Sequence, residues 1–283
     1  MTLTRLAHTI VLAWGWRRIL IAFLAGAAST LALPPTDVWP VPFVTFPILV
    51  WLVDGAAAGR LGGVVAAATA GWWFGFGYFL AGLYWIGYAF LVDAKIFGWL
   101  LPFAVISLPA ALALYTALGL ALARLIWTRG AMRVLALAAA LTIAEWLRGH
   151  LLSGFPWNAF GSALVAPEGL FGLALAQGAA LVGLWGLTFL AVAVYASPAV
   201  LADYVSDSKR PWLPLAASMA VLIALGAYGG LRLRANPTNL VGGVRLRIMQ
   251  PNLQQDEKFN ASQKQQVMSR YIALSQRAGG RPR

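Results

Sequence analysis

In the stretch RGHLLSGFPWNAFG, residues 148–161, the chain sets an Arg, a His, an Asn and a Trp between two long apolar runs. Glu145 and Arg148 stand three apart at the end of the first run, the spacing at which side chains share a helix face and pair. Ionisable groups near membrane depth are costly and often functional, but a helix end lets them pair or reach headgroups cheaply, so both roles stay open. His150 has no second metal-type ligand at useful spacing and reads as an interfacial residue. The other histidine, His8, lies far away in the chain. There is no cysteine, which removes disulfides, thiolate metal sites and a cysteine nucleophile from these 283 residues. Walker A, dinucleotide-binding, HExxH and G-x-S-x-G patterns do not occur, and no metal or cofactor is expected. Asp256 and Glu257, adjacent in a polar stretch, read as solvated charge.

A second dense stretch runs from Gly71 to Phe90, where ten of twenty residues are aromatic: Trp72, Trp73, Phe74, Phe76, Tyr78, Phe79, Tyr84, Trp85, Tyr88 and Phe90. Such a run makes either an aromatic belt with ordinary packing, since Trp and Tyr favour interfaces, or the wall of a lipid-chain pocket. Gly71, Gly75 and Gly77 would let helices approach closely. Gly226 and Gly230 form a small-xxx-small pair that reads as helix packing, and Gln177 reads as a helix–helix hydrogen bond.

The elements that must hold these residues are membrane helices. The chain is 60% hydrophobic and 11% charged, against about half and a quarter in soluble domains, and its mean hydropathy is +0.75. A bilayer core of roughly 30 Å takes about 20 apolar residues per helix. Seven spans are expected, near 18–33, 38–54, 61–90, 98–127, 131–149, 169–203 and 212–231. Some exceed that length, so tilt or re-entrant pieces are expected. The second, with Pro40, Pro42 and Pro47, is the least regular. The net charge of +12 sits in short clusters between apolar runs and in a tail, a pattern that orients a membrane protein rather than binding nucleic acid. One side holds Arg5, Arg17, Arg18, Arg60, Arg124, Arg129, Arg133, Lys209 and Arg210; the other, before the tail, holds Lys95 and Arg148. Nine against two places the N-terminus in the cytoplasm, and both the 148–161 stretch and the tail outside.

Residues 1–231 thus read as an all-α membrane domain and 232–283 as a different kind of sequence. In GVRLRIMQPN, Val244, Leu246 and Ile248 alternate with Arg245 and Arg247, as in a half-buried strand. A helix follows with Val267, Tyr271, Leu274 and Ala278 on one face and Gly279 as its C-cap. One strand and one helix cannot bury a core alone, so this looks like the start of an α/β domain.

The stretch 145–164, EWLRGHLLSGFPWNAFGSAL, resembles the corresponding loop of the apolipoprotein N-acyltransferase family: an Arg-Gly pair, here Arg148-Gly149, then Gly154-Phe155-Pro156-Trp157 and Gly161. The aromatic segment GYFLAGLYWIGYAF, 77–90, resembles that family's third span, and VRLRIMQPNLQQDEKF, 244–259, the opening strand of its nitrilase-like domain. The resemblance implies transfer of an acyl chain from a phospholipid, through a cysteine thioester, to the N-terminal amine of a diacylglyceryl-cysteine lipoprotein at the bacterial inner membrane. A Glu base and a Lys at the oxyanion assist, within an α-β-β-α sandwich. Those three residues are expected beyond Arg283, the chain is expected to be C-terminally truncated, and AGGRPR reads as a family turn interrupted after its proline. The chain alone is expected to be inactive. Arg148, Phe155, Trp157, Glu145 and Trp85 are the expected lipid- or substrate-facing residues. A transporter-like protein and a non-catalytic scaffold for lipid or a partner are the alternatives, the first disfavoured by the scarcity of intramembrane charge.

Overall fold

The computed structural model describes residues 3–56, 59–152, 154–167, 169–203, 211–237, 242–243, 246, 248–253 and 261–277. Two compact units separate: Met1–Trp85 with Phe103–Pro237, and Ile86–Pro102 with Thr238–Arg283. The described residues are overwhelmingly helical and contain no strand.

In the first unit the helices are α1 (Leu3–Val11), α2 (Gly15–Ser29), α3 (Pro42–Asp54) and α4 (Arg60–Leu83). The second unit contains the short α5 (Ala94–Phe97). The chain then continues through α6 (Leu101–Leu125), α7 (Met132–His150), α8 (Phe160–Leu164), α9 (Gly169–Ala176), α10 (Ala179–Ala196) and α11 (Leu213–Ala235). Short 3-10 turns extend α2 to Ala32, α4 to Leu91 and α10 to Ala202. Among the described residues, four helical stretches are long and apolar enough to cross a bilayer: Leu61–Leu91, Ala94–Leu125, Ala179–Ala202 and Leu213–Ala235.

α3 lies at the centre of its unit, with nine of its thirteen residues buried. A helix covered all round needs no amphipathic stripe, and its run FPILVWLV has none. Pro42 occupies its first turn, where no backbone donor is needed, while Pro47 sits inside it. α2 and α4 make the closest helix pair because glycines face backbone. A Cβ on Gly26 would stand 1.9 Å from the Phe74 carbonyl oxygen, and one on Gly77 would stand 2.1 Å from that of Phe23. Gly71 and Gly75 serve the α4–α6 contact in the same way, against Thr116 and Ala113.

One glycine expectation is corrected. Gly226 and Gly230 face open space, and the close approach belongs to Gly229, whose Cβ would stand 1.8 Å from the Ala174 carbonyl oxygen of α9. The i,i+4 pattern marked small residues but not which face of α11 meets its neighbour. Gln177 makes the expected inter-element bond, accepting from Arg232 at 2.8 Å, from the turn between α9 and α10. The sixth run is thus several pieces: α9, then α10 with a break at Gly183, where φ is +64°. An amphipathic α1, with Ala7 and Ile10 buried, precedes the first expected span.

In the second unit, α12 (Lys264–Gln276) forms where helical spacing was expected, led by a 3-10 turn at Ala261–Gln263. It buries no residue completely. Val244, Arg245 and Arg247 of the expected strand, together with Ala278 and Gly279, lie outside the described residues.

Candidate functional site

α7 ends in a buried ion pair. The Arg148 guanidinium donates to Glu145 Oε1 at 2.8 Å, and both residues are 2% exposed. Arg148 lies over the Phe79 ring, 4.9 Å from its centroid, where the aromatic face offers negative potential in a dry setting. The Glu145 carboxylate also accepts the Phe160 N–H at 3.2 Å on each oxygen and the Thr188 hydroxyl at 3.0 Å. Thr188, wholly buried in α10, in turn accepts the Gly161 N–H at 3.2 Å. A buried charge is tolerable only when paired and hydrogen-bonded, and here three elements supply the partners.

This network caps α8. Phe160 and Gly161 are its first residues, and their N–H groups lack partners within the helix. At the other end the Tyr195 hydroxyl donates to the Ala163 carbonyl at 3.0 Å. The Phe160 ring packs against Phe46, Phe74 and Tyr78, with centroids 5.2, 6.3 and 4.9 Å away. Just before α8, the Tyr78 hydroxyl donates to the Asn158 carbonyl at 2.9 Å. Asn158 has φ +40°, a conformation asparagine adopts more readily than most residues, and its amide lies against Gly82 of α4. The 154–159 loop is therefore held from beneath by α4, α7 and α10.

What the loop presents is a cleft of about 830 Å³, within the roughly 300–1,000 Å³ of ligand pockets. Phe155, Pro156, Trp157 and Asn158 form one wall. The end of α4, from Ala81 to Trp85, forms a second, and the end of α2 with the turn Leu33–Thr36 forms a third. The lining is mainly apolar, with Thr30, Asn158 and Ser162 among its polar members. Phe155 packs edge-on against Trp157, centroids 4.7 Å apart.

The five expected residues thus fall into two groups. Phe155, Trp157 and Trp85 line the cleft together. Glu145 and Arg148 are buried in the network that holds the loop, and neither lines the cleft. His150 stacks on Trp146, with centroids 4.4 Å apart, at the exposed end of α7. Within the aromatic run, Phe74, Tyr78 and Phe79 are core, while Tyr84 and Trp85 line the cleft. Sequence reasoning missed Thr188, whose signal was a lone hydroxyl within LWGLTFLAV, and the Pro34–Thr36 wall.

The opposite end of the bundle carries a second polar cluster. Arg133 donates to Asp203 Oδ2 at 2.8 Å and stands 3.3 Å from Asp54, which also accepts from Trp127 at 2.8 Å. Arg18 donates to the Leu52 carbonyl, and Arg124 to that of Ala56 at 3.2 Å, so cations sit at the C-terminal end of α3. No group of side chains suited to holding a metal ion occurs among the described residues.

Residues 25–197, which include the cleft, the network and the loop, match the model of the apolipoprotein N-acyltransferase N-terminal domain. The chain belongs to the apolipoprotein N-acyltransferase family. It is similar to the apolipoprotein N-acyltransferases of Rhodopseudomonas palustris and Bradyrhizobium diazoefficiens, each 60% identical over 278 residues, 98% of this chain and 51% of the relative. The apolipoprotein N-acyltransferase of Brucella suis is 44% identical over 289 residues, 99% of this chain and 53% of the relative. The chain therefore spans about half the length of the curated relatives it matches.

Proposed function

We propose that this chain forms the membrane platform of an apolipoprotein N-acyltransferase, which moves an acyl chain from a phospholipid to the N-terminal amine of a diacylglyceryl-cysteine lipoprotein. The observation that carries this reading is the cleft, where Trp85, Phe155 and Trp157 converge on an apolar space of lipid-chain size. The task assigned to this chain is to seat and orient an acyl chain beside the reacting centre and to keep water from its apolar part. The family's thioester chemistry needs a cysteine, and these 283 residues contain none. The nucleophile, the Glu base and the Lys are assigned to a nitrilase-like domain of which residues 232–283 form the start. None of Val267, Tyr271 and Leu274 on α12 is fully buried, which supports a larger domain, because theirs is the face a further layer would cover.

We also assign seven crossings of the bacterial inner membrane, with a cytoplasmic N-terminus and a periplasmic tail. Besides the four long apolar stretches, α7 has the length, and its three charges, Arg133, Glu145 and Arg148, all turn inward. α2 with its 3-10 extension and the buried α3 supply the others. The ends of α2 and α4 meet the 155–162 segment, while Arg18, Asp54, Arg124 and Arg133 gather at the other end, as alternating directions require.

A chimera tests the proposal. Residues 1–278 of this chain replace the equivalent half of the Rhodopseudomonas palustris relative, and acyl transfer from phospholipid to a diacylglyceryl peptide is measured. Activity near that of the parent is expected; a folded chimera with none, beside an active parent, contradicts the reading.

A further inference from the structure

Thr188 occupies an unusual position for a threonine inside an apolar helix. A helical Thr commonly returns its hydroxyl to the carbonyl one turn earlier. Here the hydroxyl leaves its own helix, donates to Glu145 at 3.0 Å and accepts the Gly161 N–H at 3.2 Å. One buried oxygen thus ties α10 to α7 and to the first turn of α8, three residues after Asn158 of the cleft wall. Gly161 makes this possible, since a Cβ there would stand 2.7 Å from the Thr188 backbone nitrogen. The break at Gly183 in α10 sits five residues before Thr188.

We infer that Thr188 is a positioning residue: through Glu145 and Gly161 it sets where the Phe155–Asn158 wall stands, and with it the fit of the cleft for an acyl chain. This rests on the reading of the cleft as a lipid site. A residue serving only to stabilise the bundle would change the melting temperature and leave lipid binding unchanged. A positioning residue changes lipid binding in a bundle that is still folded.

The absence of cysteine gives a clean reporter. Leu31 lies on the wall opposite the loop and is 42% exposed, so Leu31→Cys places a single thiol in the cleft, away from the network. The full chain in detergent micelles is alkylated with N-ethylmaleimide across a series of phosphatidylethanolamine concentrations. The lipid needed for half-protection is compared in Thr188→Ser, Thr188→Val and Gly161→Ala backgrounds, each monitored for folding by circular dichroism. Thr188→Ser keeps the hydroxyl and is expected to stay within twofold of the parent. Thr188→Val removes it, and loss of about one such bond to a charged group raises the lipid requirement about tenfold. Gly161→Ala reaches the same joint by a different route, pushing α8 from α10 with the hydroxyl intact, and is expected to weaken protection as well. If Thr188→Val does not fold, Gly161→Ala decides. Undiminished protection in the folded Val or Ala variant overturns the inference alone. A Leu31→Cys thiol that phospholipid never protects overturns the cleft reading itself, and the inference with it.

Discussion

Arg133 and Arg148 sit at opposite ends of α7, about 22 Å apart along its axis, and each is buried against carboxylates from its own end of the bundle. Arg148 meets Glu145 where both are 2% exposed. Arg133 meets Asp54 and Asp203, whose side chains are 26% and 33% exposed. Water reaches the second cluster and not the first, so the two ends differ in how much depends on an intact pair. Arg148→Met leaves a dry carboxylate without its counter-charge, and breaking a buried pair in this way costs about 3–5 kcal/mol. Arg133→Met leaves two carboxylates that water can partly solvate, and the cost is smaller, about 1–3 kcal/mol. Denaturant unfolding of the micelle-bound chain checks the order; an equal or reversed ranking would show that burial does not set the cost.

Glu145→Ala should be worse than Glu145→Gln, because the amide still offers an oxygen to Phe160 N–H or Thr188 while alanine offers none. Combining Arg148→Met with Glu145→Gln removes both charges and should cost less than the sum of the single changes, with a coupling of about 1–3 kcal/mol. A double variant whose losses simply add would mean that the pair is not coupled in the folded chain.

Glycine substitutions separate contact from spacing. Gly26→Ala forces a methyl to within 1.9 Å of the Phe74 carbonyl oxygen and should destabilise by about 1–3 kcal/mol through displacement of α2 from α4. At Gly226 nothing lies within 4 Å, so Gly226→Ala should stabilise by up to about 1 kcal/mol from helix propensity alone. Thermal melts of the two variants provide the comparison, and a destabilised Gly226→Ala would place a partner on that face of α11.

Orientation can be read with single cysteines. His8 is exposed on α1, and Leu152, 98% exposed, sits in the loop after α7. A membrane-impermeant maleimide applied to spheroplasts should label Leu152→Cys and leave His8→Cys unlabelled; inside-out vesicles should show the reverse. Labelling of both from one side would contradict the assigned crossings.

Much of this organisation was legible in the chain because apolar length and charge placement act locally. The four long apolar helices follow from what a bilayer demands of any backbone, and the tail helix from its helical spacing of Val267, Tyr271 and Leu274. Trp85, Phe155 and Trp157, expected to be lipid- or substrate-facing from the loop and its resemblance, do line one cleft. The role of Glu145 and Arg148 could not be settled that way, since their three-residue spacing fits an interfacial pair and a buried one equally well. What decides it is Thr188, forty residues downstream of Arg148, and tertiary partners at that distance leave little trace in a single sequence. Arg18, Arg124 and Arg133 counted as orientation charges, yet they also bind the end of α3 and its neighbours. Gly229, rather than the evenly spaced Gly226 and Gly230, carries the α9–α11 contact because α9 is a separate short helix, which the unbroken apolar run concealed.

The central claim is that the cleft beside Trp157 seats a phospholipid acyl chain for transfer, and one kinetic comparison tests it most directly. In the chimera with the Rhodopseudomonas palustris relative, Trp157→Ala removes a large apolar wall while leaving the Glu145 network in place. Loss of about 2–3 kcal/mol of burial corresponds to at least a tenfold fall in kcat/KM for the phospholipid donor. The account predicts that fall at unchanged melting temperature; an unchanged kcat/KM in a folded variant would contradict it.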